Sequence, residues 1–134
     1  MKSLSAVCLC ALAALAASPA AARHASGKNL AAAMMRLDPD TRFEQRCNGE
    51  AIEVLHRQEK GFAPNEVVAY AFGKSEIRGG QVLAPHAAIR SHGEWYHLSY
   101  ACRPTADGLA VESFHYTLGA EVPHSEWDDH YLVP

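Results

Sequence analysis

The chain has no surplus of positive charge: Lys and Arg number 12 against 15 Asp and Glu, a formal net charge of −3. Nothing in that balance draws in nucleic acid or an anionic membrane surface. No C-x-x-C pair is present, so no thiol has the spacing that depresses a cysteine pKa for redox work. The sequence also lacks a G-x-S-x-G elbow, a P-loop and a glycine-rich dinucleotide fingerprint, and Gly79-Gly80 is too small a cluster to cradle a phosphate. No apolar run reaches the roughly 20 residues that cross a bilayer. With 134 residues there is room for one domain and no more.

What is present begins with an export signal. Met1-Lys2 supplies a positive start, Leu4 to Ala17 is apolar and uncharged, and Ser18-Pro19-Ala20 and Ala20-Ala21-Ala22 place small residues where signal peptidase cuts. Cys8 and Cys10 lie inside that apolar segment, behind Val7 and Leu9, which are too bulky for a lipidation site. Residues 1–22 therefore read as the signal, 23–37 as an alanine-rich lead-in, and 38–134 as a single α+β domain. Export leaves Cys47 and Cys102 as the two thiols of the mature chain and sends them to an oxidising periplasmic or extracellular space. Two thiols allow one connectivity. Closing a loop of about 55 residues contributes roughly 4 kcal/mol on the chain-entropy model, so the expected bridge is structural.

A helix opens at Asp38-Pro39, where Asp38 can accept a free backbone N–H and Pro39 fits the first helical position. It should run from about residue 39 to 59 with a buried stripe of Phe43, Cys47, Ala51, Val54 and Leu55. Asn48-Gly49 in its middle marks a bend or a close approach, and Gly61 ends it. Beyond Gly61 the period becomes two. Strands are expected over Glu66 to Phe72, then over Gln81 to Ala84 and Ala87 to Arg90 with an interruption at Pro85; the segment holding Gly73, Gly79 and Gly80 reads as a loop.

A two-residue turn at His92-Gly93 pairs Ser91 with Glu94, Ile89 with Tyr96 and Ala87 with Leu98. A three-residue loop at Ala106-Asp107-Gly108, with Gly108 left-handed, sets Leu118 opposite Tyr96, Tyr116 opposite Leu98, Phe114 opposite Tyr100 and Glu112 opposite Cys102. Cys102 then shares a face with the aromatic row, and Cys47 lies on the helix stripe. The predicted fold class is α+β: an N-terminal amphipathic helix packed on an antiparallel sheet of about four strands, a short C-terminal helical tail carrying Trp127 and Tyr131, and one disulfide between helix and sheet.

The same registers assign Arg90, Trp95, His97, Ser99, His115 and Thr117 to the opposite sheet face, with His97 and His115 as diagonal neighbours. Exposed, Trp95 beside Arg90 with two imidazoles nearby would form a binding face for a glycan, an aromatic ligand or a partner protein. The other arrangement open to Trp95 is packing under the C-terminal tail. For metal, His124, Asp128, Asp129 and His130 bring ligand-type residues close in sequence, but their spacing matches no pattern that fixes tetrahedral geometry. His86 and His92 read as loop residues and His56 as a helix-surface residue. No cofactor is implied, and no catalytic constellation stands out among the carboxylates and histidines.

Three stretches carry a resemblance. Leu37-Asp38-Pro39-Asp40-Thr41-Arg42-Phe43-Glu44-Gln45-Arg46-Cys47, the run from Ala88 to Cys102, and Gly119-Ala120-Glu121-Val122-Pro123 with Trp127 are similar to an uncharacterised bacterial family, domain of unknown function 930. The likeness spans Leu37 to Tyr131 and implies a small, often exported protein, with no activity, cofactor or catalytic residue to carry over. The expected function is thus a non-catalytic binding or accessory protein of the bacterial cell envelope, with an envelope protein or a glycan as partner. A small cell-wall or glycan-directed enzyme and a metal or ligand carrier are the alternatives.

Overall fold

The computed structural model describes residues 19–134. The export-signal reading of residues 1–22 falls largely outside them, and residues 19–22 open the first helix. The order is α1 (Pro19–Met34), α2 (Pro39–Gln58), β1 (Pro64–Val68), β2 (Glu76–Arg78), β3 (Gln81–Ser91), β4 (Glu94–Pro104) and β5 (Val111–Glu121), then 3-10 turns at His124–Glu126 and Asp128–His130. The fold is α+β with one disulfide. The alanine-rich lead-in is helical as α1 up to Met34, and Leu30 within it and Met35 just after it stay more than half exposed.

Helix α2 starts where its cap predicts. Asp38 Oδ1 accepts the Thr41 N–H at 3.1 Å, and Pro39 follows in the first turn. Hydrogen bonds from Thr41 hold the Asp38 carboxyl below its usual range. The cap therefore contributes above the unfolded carboxylate pKa and is lost as pH falls through the depressed value. The stripe buries Cys47, Ala51, Val54 and Leu55 against the sheet, with Phe43 partly buried beside them. The helix is continuous through Asn48-Gly49. The close approach there is a side chain: Asn48 is buried, and its Oδ1 accepts the Tyr100 hydroxyl at 2.7 Å. Burial, with the Glu44 charge adding to it, pushes the Tyr100 phenol well up, which keeps it a donor to Asn48.

The sheet has five antiparallel strands in the order β1-β3-β4-β5, with β2 on the same edge of β3 as β1. The fifth strand is β2, in the segment read as loop. Three residues are too few for a periodicity, but Gly79 and Gly80, at φ +55° and +74°, form the two-residue turn that folds Arg78 onto Gln81. The segment read as one strand over Glu66 to Phe72 leaves the ladder after Val68 and re-enters contact where the Phe72 N–H bonds the His86 carbonyl. Strand β3 runs unbroken past Pro85 because a bulge at Pro85-His86 absorbs the residue that cannot donate.

The β3–β4 hairpin has the predicted register, Ser91 to Glu94, Arg90 to Trp95, Ile89 to Tyr96 and Ala87 to Leu98. His92 and Gly93 both take positive φ, as a two-residue turn of this hand requires. The β4–β5 hairpin is displaced by two residues from the expected pairing: Leu98 faces Leu118, Tyr100 faces Tyr116 and Cys102 faces Phe114. The loop, one residue longer than expected, causes half of this shift, and a bulge at Glu112 adds the other residue. Thr105 and Ala110 close the loop with a backbone bond of 2.9 Å, Asp107 accepts the Leu109 N–H and the Thr105 hydroxyl, and Gly108 sits at φ +70° against Phe43. A shift of two preserves which face each side chain takes. Glu112, which the expected register placed opposite Cys102, is skipped by a bulge and turns to solvent.

Cys47 and Cys102 are bonded, with Cα atoms 5.9 Å apart and both side chains fully buried. Around them lies the main core, where α2 meets Val82, Ala84, Ala87, Ile89, Leu98 and Tyr100. Replacing both cysteines, Cys47→Ala with Cys102→Ala, should lower the urea-unfolding free energy by roughly 4 kcal/mol. Tyr100→Phe alone should cost about 1–3 kcal/mol by stranding the Asn48 oxygen, and adding Asn48→Leu should restore most of that loss. A Tyr100→Phe midpoint equal to wild type would show that this hydrogen bond carries no stability.

Candidate functional site

The sheet face turned away from α2 is divided in two. Over the His92 end the C-terminal tail folds back, and Ala71, Ala88, Trp95, Val122, Trp127 and Leu132 close into a second buried cluster with Val68 and Phe72 at its border. Trp95 is 0% exposed, and its indole N–H donates to the Val133 carbonyl at 2.9 Å. It is therefore a core residue and offers no surface to a partner; this corrects its place on the expected binding face. The Trp127 indole donates to the Val122 carbonyl, and the Val122 N–H to the Trp95 carbonyl, so tail and sheet are tied by backbone as well as by packing.

Arg90 does pair with Trp95 across the hairpin, but its guanidinium turns to the β1 edge, with Nη1 3.7 Å from Glu66 Oε2 and the side chain 20% exposed. It is engaged inside the fold. The two-residue shift of β5 also separates His97 from His115: His115 stands opposite Ala101, and the Ser99–Thr117 pair lies between the imidazoles. They are not diagonal neighbours. The tail residues weighed for metal disperse in the same way. His124 Nε2 lies 2.6 Å from Glu94 Oε2 with its ring on Trp127, while His130 Nδ1 lies 3.0 Å from the Ala71 carbonyl with its ring against Phe72. Among the described residues no three His, Cys, Asp or Glu side chains gather as ligands.

The other half of this face, beyond the tail, is open. A depression of about 390 Å³ is lined by Leu83, Pro85, Ser99, Ala101, His115 and Thr117. A second, of about 320 Å³, adjoins it through Pro85, Ser99 and Thr117 and adds Phe72, His86 and His97. Together they make one shallow trough. Its floor is the outer side of β4, where Ser99 and Ala101 are small, and one wall is the β3 bulge, which turns both Pro85 and His86 outward. Phe72 stands at one end between His97 and His130, with ring centroids 4.3 and 4.1 Å away. Of the expected face, then, His97, Ser99, His115 and Thr117 meet at this trough, while Arg90 and Trp95 do not.

Leu83, Pro85, His86 and Phe72 were not placed on the expected binding face, and His86, read as a loop residue, stands instead in β3 at its bulge. Pro85 within a strand was the available signal, because a proline bulge redirects the side chains beside it. Chemically the lining is hydroxyls, imidazoles and apolar carbon, with no carboxylate, thiol, lysine or arginine in either depression. Such groups donate and accept hydrogen bonds to a neutral polar ligand. A pair of acids flanking a glycosidic bond is missing from this trough.

Removing Leu132, Val133 and Pro134 should bare Trp95. The expected result is a red-shifted indole emission with a loss of about 2–5 kcal/mol from the Leu132 contact; an emission maximum that does not move would mean the tail is not what shields this ring.

No helix among the described residues is long and apolar enough to cross a membrane. No curated protein and no solved structure matches the chain. A family model described as Domain of Unknown Function (DUF930) matches residues 34–132, from the end of α1 to the buried Leu132 of the tail. That span takes in the disulfide, every strand and the trough, and the chain belongs to the DUF930 family.

Proposed function

We propose that the protein is a non-catalytic binding or accessory protein of the bacterial cell envelope, exported by its N-terminal signal, and that the open trough on the sheet is its recognition surface. The observation that carries this reading is the make-up of the trough: Ser99, Thr117, His97 and His115 supply hydrogen-bonding groups over an apolar wall of Leu83 and Pro85, without a charged acid or base pair. That chemistry suits the hydroxyls of a glycan or the backbone of an extended envelope peptide. The disulfide supports an oxidising location, and the apolar Leu4 to Ala17 segment supports export. The alternatives have less behind them. A glycan-directed enzyme needs a pair of carboxylates, whereas the trough holds none and the depression adjoining it across Leu83, Pro85 and His86 adds Glu76 alone; a metal carrier needs a ligand cluster that the described residues do not form.

Ser99 lies in both depressions, so filling its position tests the whole surface. Ser99→Trp in the exported chain should weaken capture of envelope glycan or protein at least roughly ten-fold, about 1.4 kcal/mol, with little change in the melting midpoint. If Ser99→Trp and the His97→Ala, Thr117→Ala double variant both retain the wild-type set of captured partners, the trough is not the recognition surface.

A further inference from the structure

The open trough continues past the β3 bulge. A third depression, of about 520 Å³, shares Leu83 and Pro85 with one half of the trough and Phe72, Pro85 and His86 with the other. It brings in Lys74, Glu76 and Arg78 from the segment around β2. Arg103 stands at the same end of the sheet. Two residues beyond Ala101 on β4, it is turned to the outer face by alternation, and its Nη1 donates to the Gly79 carbonyl at 3.0 Å. From His97 to Arg103 that face of β4 runs for about 20 Å, the length of several sugar rings rather than one.

Charge is sorted across the molecule. On α2, Arg46 and Arg57 face Glu50 and Glu53, and at the β1 edge Arg90 faces Glu66. The His92 end of the sheet and the tail carry Glu94, Glu121, Glu126, Asp128 and Asp129. The Gly79-Gly80 end differs. Lys74 forms no ion pair among the described residues, and the partner of Arg103 is a backbone carbonyl. Glu76 is the carboxylate in the third depression; it pairs with Arg78, and with side chains 51% and 73% exposed that pair holds weakly. Asp107 and Glu112 also lie at this end but line none of the three depressions, and Asp107 bonds within its own loop, near Arg42. A chain of formal charge −3 thus sets three cations against one carboxylate around its open concavity, where a single sign of charge focuses the field on a ligand of the other.

Taking the trough as the recognition surface, we infer that its occupant is an acidic glycan, a polysaccharide bearing carboxylate, phosphate or sulfate groups. Its hydroxyls meet Ser99, Thr117 and the imidazoles of His97 and His115, and its anionic substituents meet Lys74 and Arg103. A glycan is favoured over an extended peptide by where the floor lies. Strand β4 is paired on both sides, with β3 and with β5, so its backbone is spent in the ladder and cannot receive a peptide as an added strand. Recognition falls to side chains, and hydroxyls and imidazoles both donate and accept, as sugar hydroxyls do.

The test uses the exported chain with its disulfide intact and two matched pairs of probes: polygalacturonate with its methyl ester, and dextran sulfate with dextran. Within each pair the backbone is shared and the charge differs. The wild-type chain should bind each acidic member at least about ten-fold tighter than its neutral counterpart, and added salt should erase that margin. Lys74→Gln with Arg103→Gln should remove the margin while leaving the neutral affinity and the melting midpoint unchanged. Lys28→Gln with Lys60→Gln, exposed changes of the same net charge on other surfaces, should leave the margin in place. Ser99→Trp should weaken both members of each pair. Equal binding of acidic and neutral members overturns the inference and leaves the trough reading standing; so does a margin that the Lys74, Arg103 variant fails to reduce, or that the Lys28, Lys60 variant reduces equally. Binding of none of the four probes overturns the inference as well. Binding that Ser99→Trp leaves intact overturns it together with the trough reading. Polyglutamate bound as tightly as polygalacturonate also overturns it and gives the surface to an acidic peptide.

Discussion

The bond between Cys47 and Cys102 ties the middle of α2 to β4, a central strand, and the rest of the main core is arranged around that tie. A domain this small buries a modest share of its surface, so a cross-link worth roughly 4 kcal/mol is a large part of the ~5–15 that folded domains have in total. Its surroundings are specific as well as apolar. Asn48, the next residue on the helix, and Tyr100, two residues back on the strand, meet in a buried hydrogen bond of 2.7 Å. The covalent bond brings helix and strand together, and the polar pair admits one rotation of the helix, since any other would leave the Asn48 oxygen buried and unpaired.

The second core depends on the first through β4. Alternation sends Cys102, Tyr100 and Leu98 toward α2 and Trp95 to the other face, where nothing but the tail can cover it. The C-terminal residues are therefore held by a large buried ring rather than left as a loose end. Trp127 N–H, Val122 N–H and the Val133 carbonyl each take a partner from tail or sheet, so folding the tail back strands few polar groups. Covering the face at the His92 end restricts the open surface to the other end, and that partition places the trough at His97, Ser99, His115 and Thr117.

Much of this was legible in the sequence wherever local chemistry and burial spoke together. Asp38-Pro39 states a helix start by hydrogen bonding and by a missing N–H, and the stripe from Phe43 to Leu55 states its buried face. His92-Gly93 is a turn in which both residues accept positive φ, and it fixed the β3–β4 pairs from Ser91–Glu94 to Ala87–Leu98, up to the bulge at Pro85-His86. The Thr105 to Ala110 loop was less legible, because its closure rests on the Asp107 carboxylate and the Thr105 hydroxyl bonding to backbone, contacts that exist only once the loop has formed. The face of each β5 residue could be read, since burial alternates with period two, but a slip of two leaves that alternation unchanged. The separation of His97 from His115 turns on that ambiguity. Strand β2 and the burial of Trp95 are tertiary outcomes: three residues carry no period, and an indole one strand from a polar surface looks the same in sequence whether a tail covers it or not.

Pro85 links the sequence to the surface more directly than any other residue. A proline inside a strand cannot donate to the ladder, so β3 bulges at Pro85-His86 and resumes pairing at Ala87 with its alternation reset. Two consecutive side chains then face outward where a regular strand would send one inward. That pair walls the trough; the His86 carbonyl receives the Phe72 N–H, and its ring packs over Gly73, where a β-carbon would come within 2.7 Å. Phe72 is thereby set at the seam between tail and open face, touching His97 on one side and His130 on the other. A substitution that let β3 run straight would return one of these side chains to the core and remove the wall, so the concavity is a consequence of backbone chemistry at a single position.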